Sequence, residues 1–368
     1  MANTRLKILF LTTQPPAEIK AEWPYYQNWT LPQAMRECGA LVSIESWRDK
    51  TLDVKALGAY GVITFLWCNN YHLHPVEFPE FIKSKLLPAQ QLYPAMRVVN
   101  DSSIILWNID KALYLGELQE AGFLVPRTEL VKELDSFSAV EILAEHVSVL
   151  ARRVTSGPVV LKPSISGSSK QTHLIKDPSS PNAADMNFLA GVMASGIDGR
   201  LIVQEYEPAI SNGEYSLVFT AGKHTHTMIK TPAESEFRCQ AEFGGGIDEL
   251  GMDKVPKQAK ETAKDIMKFL ASKGGALTYC RIDGVIRDSG EFVLMEVEAI
   301  EPHLWLETSN DPGIRDALYT ALLSPGSGPS PSLIHTLWLR ACASVSDLYR
   351  QWLRVIFSTL QILSIKKE

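Results

Sequence analysis

The sequence predicts a mixed fold, with a parallel α/β domain at the N-terminus followed by α+β lobes. Three observations point there. Strand and helix patterns alternate over residues 1–99. From about residue 159 the chain reads mainly as strands joined by short turns. VLMEVEAIEP (293–302) then completes a hairpin and carries paired glutamates.

Taken in order, LKILFLTT is an apolar run of the kind buried on both faces of a sheet. PQAMRECGA has helical character and stops at glycine, and LVSIESW and YGVITFLW are the next strands. The 1–99 domain follows from that rhythm. WNIDKALYLGELQEAG holds a helix with Leu113, Leu115 and Leu118 apolar and Gly122 as its stop. FLVPRTELV is extended, and AVEILAEHVSVLARRV is an amphipathic helix. GPVVLKPSISGSSKQTHLI reads as strand, glycine-serine loop, strand. LIVQEYEPAI and GEYSLVFTAGKHTHTMIKT add strands, and PKQAKETAKDIMKFLASKGG adds a helix. ALTYCRIDGVIRD and EFVLMEVEAIEP pair around the turn DSGE. Residues 100–323 are therefore expected to form two α+β lobes, the smaller over about 130–204. SPGSGPSPS (324–332) has linker composition, and the 324–368 tail has the pattern of an amphipathic helix of unassigned role.

The chain has 368 residues, enough for two or three domains with a sizeable core. Its 45% hydrophobic and 21% charged residues suit a globular protein, and a net charge of -6 argues against general nucleic-acid binding. No apolar run is long enough to span a membrane. Five cysteines without ligand spacing read as reduced thiols of a cytoplasmic protein. Cys239 and Cys280 lack an obvious histidine partner and read as packing residues.

The glutamates raise the chemical question. Strict alternation puts Val293, Met295 and Val297 on one strand face and Leu294, Glu296 and Glu298 on the other. Side by side, two carboxylates repel, and a cation between them reverses the sign. Arg281 and Asp283 share a face of the preceding strand. If the hairpin pairs as drawn, Asp283, Glu296 and Glu298 converge with Arg281 beside them. Three carboxylates without nitrogen or sulfur donors suit Mg²⁺, which completes its shell with water and substrate phosphates. Phosphate binders are present. Lys162 ends a strand before the loop holding Ser166, Gly167, Ser168 and Ser169, and Lys111, Lys230 and Arg238 add positive charge. His224 and His226, two apart on one strand, have the look of a metal pair but are read instead as one exposed and one facing the ligand. TFLWCNNYHLH follows a strand, where ligands sit in open α/β sheets, so Trp67 and Tyr71 are candidates for a substrate pocket.

The series WNIDK, VVLKPSISGSS, VQEYEP, GEYSLVF, HTMIKTP, EFRCQAEFGGG, RIDG and MEVEAIEP resembles the ATP-grasp ligase superfamily over about residues 5–320. It is most similar to the glutathione-synthetase-like branch and, within it, to the cycloserine-forming cyclo-ligase group. The resemblance implies an ATP-grasp fold in which Lys111, Lys162 and the 164–170 loop hold ATP phosphates. Gln204, Glu205 and Tyr206 would lie along the adenine, largely through backbone groups, and Glu214 would accept the ribose hydroxyls. Asp283, Glu296 and Glu298 would hold two Mg²⁺ ions, for which Mn²⁺ could substitute. Arg281, Lys230 and Arg238 would be catalytic, stabilising the transferring phosphoryl and the acyl phosphate, and His226 would face substrate. Glu298 stands where the family often has Asn.

The implied reaction joins a small carboxylate, an amino acid or derivative, to an amine with release of ADP and phosphate, in a possible homodimer. An intramolecular cyclo-ligase, a kinase-type enzyme and an inactive ATP-binding module are the alternatives.

Overall fold

The computed structural model describes residues 5–18, 30–167, 171–195, 200–239, 243–306 and 312–323. Ser168, Ser169 and the 324–368 tail lie outside the described residues. The chain divides into two compact units, one built from 1–68, 85–99 and 303–368, the other from 69–84 and 100–302.

In the first unit, β1 (Lys7–Thr12), β2 (Leu41–Ser46), β3 (Val62–Thr64) and β4 (Arg97–Val99) form a parallel sheet in the order β2-β1-β3-β4. β1 is an inner strand, and Ile8 through Leu11 are fully buried, which is why the run is apolar without alternation. Trp67 is only 1% exposed, its ring centroid 5.0 Å from that of Phe10, so its indole occupies a packing position in this unit.

The second unit contains two antiparallel sheets. The smaller runs β5-β8-β6-β7, from β5 (Thr128–Val131), β6 (Val159–Pro163), β7 (His173–Ile175) and β8 (Leu201–Glu205). Its apolar face packs under the helix Val140–Val154 and the helix Ala183–Ala194. The larger sheet runs β11-β10-β9-β12-β13, from β9 (Glu214–Thr220), β10 (Lys223–Thr231), β11 (Gly246–Leu250), β12 (Tyr279–Ile286) and β13 (Phe292–Glu298). One face of it covers the helix Lys257–Gly274 with Leu217, Phe219, Ile282, Leu294 and Val297. Among the described residues, no helix is long and apolar enough to cross a membrane.

The β12–β13 hairpin carries one irregularity that decides which side chains face the site. Asp283 pairs with Glu296, but Gly284 pairs with Leu294, so Met295 is an extra residue in β13. The bulge breaks strict alternation. Leu294 joins Val297 in the helix-covered core, while Val293 packs with Val285 in a separate cluster that Met295 joins. The expectation that Leu294 shares the glutamate face is thus corrected.

Gly284 is needed at the bulge. A Cβ there would collide with the Phe292 ring and lie 2.6 Å from the Val293 carbonyl oxygen. Gly284→Ala is expected to cost about 1–3 kcal/mol, the usual range for forcing an atom into a packed interior, as read from urea unfolding.

Candidate active site

Cross-strand pairing builds the site as rungs on one sheet face. One rung runs His226, Val218, Arg281, Glu298 across β10, β9, β12 and β13. The next runs Met228, Ser216, Asp283, Glu296. In a third, Lys230 stands opposite Glu214. Residues directly opposite one another project to the same side, and alternate rungs share that side, so this charged face is set by register alone.

Lys111, Glu214, Lys230, Arg281 and Asp283 are buried, and Glu296 and Glu298 are half-buried beside them. The Lys230 ammonium lies 2.5 Å from Glu214 Oε2 and 3.1 Å from Asp283 Oδ2. Arg281 donates from Nε to Asp283 Oδ1 at 2.9 Å, and from Nη2 to Asp283 Oδ2 at 2.9 Å and Glu298 Oε1 at 2.5 Å. Ser216 Oγ donates to Asp283 Oδ1 at 2.7 Å. Lys111 begins the helix Lys111–Glu120, and its Nζ lies 3.0 Å from Glu296 Oε1 while donating to the Ser166 carbonyl at 2.6 Å. Lys162, on the opposite face of β6 from buried Leu161 and Pro163, lies within electrostatic reach of Glu296, Lys111 and Glu214. Lys111, Lys162, Lys230 and Arg281 therefore face Glu214, Asp283, Glu296 and Glu298, four cations against four carboxylates.

Burial and pairing pull these groups in different directions. Burial alone would raise the Asp283 carboxyl, but Arg281 and Lys230 outweigh it and hold the group well below the carboxylate range. Burial also works against the Arg281 cation, and Asp283 and Glu298 overcome it. Glu298 is pushed up to about 7 by burial, against the pull of Arg281. Burial brings Lys162 down to about 8, with Lys111 adding to the effect. The set is tuned by desolvation plus specific partners, the pattern found where charge must be handled chemically.

The donor set fits a hard cation. Carboxylate oxygens of Asp283, Glu296 and Glu298 lie within 4.8 Å of one another, and among the described residues no nitrogen or sulfur ligand joins them. His224 is not drawn into a metal group. Its Nε2 lies 2.8 Å from Thr227 Oγ1, and burial lowers its pKa to about 4. His226 is buried on the charged face, with Thr225 Oγ1 3.1 Å from its Nδ1. Burial pushes the Cys239 thiol up to about 12 and Cys280 further, as suits packing residues.

Other expected residues are placed differently. Arg238 is turned to Glu236, 2.7 Å from Nη2 to Oε2, and its guanidinium carbon lies 3.6 Å from the Phe243 ring centroid. Gln204 is buried and donates to Thr128 Oγ1 at 2.9 Å, and Glu205 is held bidentately by Arg127. The backbone amides of Glu205 and Tyr206 already donate to the carbonyls of Arg127 and Pro158. Any adenine contact by these two residues must use other atoms. Tyr71 belongs to the second unit, within electrostatic reach of Tyr114, which in turn feels Glu296 and Glu298.

Sequence reasoning missed three contributors. Ser216 anchors Asp283, and its signal was its position two residues after Glu214. Glu301, in EAIEP, has its carboxyl pushed up to about 8 by burial with Glu298 adding to it. Asn108 donates to the Val297 carbonyl at 2.8 Å and accepts from the Ala299 amide at 2.8 Å, bracketing Glu298. Nothing in the local sequence around Asn108 signals so distant a partner. Asn108→Ala leaves two buried backbone groups unpaired and is expected to cost at least ~2 kcal/mol in a denaturant titration.

Two antiparallel sheets, one carrying a charged face, in a chain that also holds a parallel α/β unit, define the class. Residues 131–303 match the family model for the prokaryotic glutathione synthetase ATP-grasp domain. The fold is shared with the crystal structure of D-cycloserine synthetase DcsG, at a TM-score of 0.64 and 22% identity over 86% of this chain and 98% of that one. It is shared also with D-alanine–D-alanine ligase from Bacillus anthracis complexed with ATP, at a TM-score of 0.56 and 14% identity over 92% of this chain and 99% of that one. The chain has the ATP-grasp fold, and its residues 131–303 match the glutathione-synthetase-type ATP-grasp domain.

Among curated proteins, the chain is 25% identical over 202 residues to a probable alpha-L-glutamate ligase of Teredinibacter turnerae. That match spans 55% of this chain and 59% of the relative, less than two thirds of its length. The chain is 24% identical over 308 residues to the cycloserine biosynthesis protein DcsG of Streptomyces lavendulae, covering 79% of this chain and 92% of that protein.

Proposed function

We propose that this protein is an ATP-dependent ligase that activates a small carboxylate, an amino acid or a derivative of one, as an acyl phosphate and passes the acyl group to an amine. The observation that carries the reading is the convergence of Asp283, Glu296 and Glu298 with Arg281, Lys111 and Lys162 in one cluster. Phosphoryl transfer requires positioning and charge neutralisation more than covalent chemistry, and this cluster offers both.

In the first step a carboxylate oxygen of the substrate bonds to the γ-phosphorus of ATP, and the bond to the β,γ-bridging oxygen breaks, releasing ADP. In the second, the amine nitrogen attacks the acyl carbon, loses a proton and expels phosphate. Asp283, Glu296 and Glu298 would hold Mg²⁺, which when bound neutralises phosphate charge. Lys111 and Lys162 would neutralise the phosphate tail. Glu214 remains the proposed ribose acceptor, although its carboxylate is engaged by Lys230. Arg281 contributes a cation that cannot deprotonate at working pH.

A second reading, ring closure within one molecule, is favoured by the span of the similarity to DcsG, 92% of that protein. Both readings share the acyl phosphate and differ in the origin of the amine.

The test supplies Mg-ATP with pooled amino acids and small carboxylic acids and reads ADP release and product mass together. Turnover requiring both an acid and an amine supports intermolecular ligation. Turnover with one compound that loses the mass of water supports the cyclo-ligase. A phosphorylated end product would overturn both in favour of a kinase.

A further inference from the structure

The segment 69–84 is grouped with the ATP-grasp unit, and one of its side chains touches the phosphate loop. Asn70 takes a left-handed conformation (φ 63°) and starts the 3-10 turn Tyr71–Leu73. Tyr71 packs that turn in place, its ring centroid 5.0 Å from that of the fully buried Phe78. The turn lays the His72 imidazole against Gly167. A Cβ on residue 167 would fall 2.7 Å from both Cε1 and Nδ1 of His72 and 3.3 Å from its Cγ, closer than van der Waals contact allows. Glycine is required at 167 because a ring occupies the space a side chain would need.

What lies next to this contact is the lysine anchor. The Ser166 carbonyl accepts from Lys111 Nζ at 2.6 Å, and the Lys111 amide donates to the Ser164 carbonyl at 2.8 Å. That same Nζ lies 3.0 Å from Glu296. Imidazole, Gly167, Ser166 carbonyl, Lys111 ammonium and Glu296 carboxylate thus form one contiguous line.

We propose that His72 is a positioning residue for the nucleotide site: it seats the 164–167 turn so that the Ser166 carbonyl fixes the Lys111 ammonium beside Glu296. The inference rests on the ATP-site reading above and adds a residue from outside the matched 131–303 domain. Its physical content is registry. A turn free to shift by an ångström would move the charge that meets the phosphates, and displacements of that size cost up to ~100-fold in rate. His72 acts through Gly167 and Ser166.

A double-variant cycle on the full chain tests it, with the affinity for Mg²⁺ and β,γ-imido-ATP read by calorimetry. His72→Ala and Gly167→Ala are each expected to weaken nucleotide binding about tenfold, the first by releasing the turn and the second by colliding with the ring. The double variant is expected to be no weaker than His72→Ala alone, because the added methyl then has room. His72→Gln, which fills part of the ring's volume, is expected to fall between His72→Ala and wild type. Unfolding temperatures of all variants identify any that fail to fold. If Gly167→Ala misfolds, the His72→Ala and His72→Gln affinities still decide.

Wild-type affinity in His72→Ala would overturn the proposal, as would penalties that multiply to about a hundredfold in the double variant. Either result, with normal wild-type binding, leaves the ATP site standing. A wild-type chain with no affinity for the nucleotide would overturn the ATP-site reading together with this one.

Discussion

Arg281→Met is expected to lower turnover by about 10²–10³-fold and stability by about 3 kcal/mol. The side chain is 8% exposed and supplies the cation shared by Asp283 and Glu298. Methionine fills similar volume, so the loss is electrostatic rather than a cavity. Removing one partner from a buried pair strands the other, and that penalty is typically ~3–5 kcal/mol. The lower end is expected for two reasons. Asp283 keeps Lys230 at 3.1 Å and the Ser216 hydroxyl at 2.7 Å. Glu298, already pushed up to about 7, can take a proton instead of standing bare. Urea unfolding reads the stability, and ADP release under saturating ATP reads the rate. Arg281→Lys restores charge without the two-pronged contact to Asp283, so it is expected to recover stability better than turnover.

Glu296→Gln is expected to separate the two effects. Its carboxylate is 30% exposed and its direct cation, Lys111, retains the Ser166 carbonyl, so the stability change should stay under ~1 kcal/mol once solvent screening is counted. The chemistry should suffer far more. Glutamine offers one neutral oxygen where a charged ligand stood, so turnover should fall about 10²–10³-fold and the Mg²⁺ concentration for half-maximal rate should rise. A Mg²⁺ titration of ADP release checks both. In wild-type protein, chelation of divalent ions by EDTA should abolish turnover, and added Mg²⁺ should restore it.

Much of this site was legible because sheet chemistry is periodic. Arg281 and Asp283 are two apart on one strand, Glu296 and Glu298 two apart on the next, and a hairpin turn between them suffices to bring all four together. The bulge at Met295 was not legible, because an extra residue is visible only once the partner strand is known. It explains why Leu294 belongs to the core and not to the glutamate face. The helix Ala183–Ala194 escaped the sequence reading because its apolar residues are not segregated to one side. Its start is written in a capping box, Asn182 with Asp185. The strand Gly246–Leu250 follows a glycine run and has little buried surface to mark it. Arg238 shows a different limit. Its charge was counted toward the site, but Glu236, two residues away, satisfies it locally. Asn108 and His72 meet partners 189 residues and about a hundred residues away, respectively, and no local pattern encodes such contacts.

The central claim is that the substrate carboxylate itself takes the γ-phosphoryl group. The most direct measurement uses a pool of amino acids and small acids labelled with ¹⁸O in the carboxylate, incubated with the protein and Mg-ATP, and reads the mass of the released phosphate. An acyl-phosphate route predicts one ¹⁸O atom in each phosphate released during product formation, whether the amine comes from a second molecule or from the same one. Product formation accompanied by unlabelled phosphate would contradict the account.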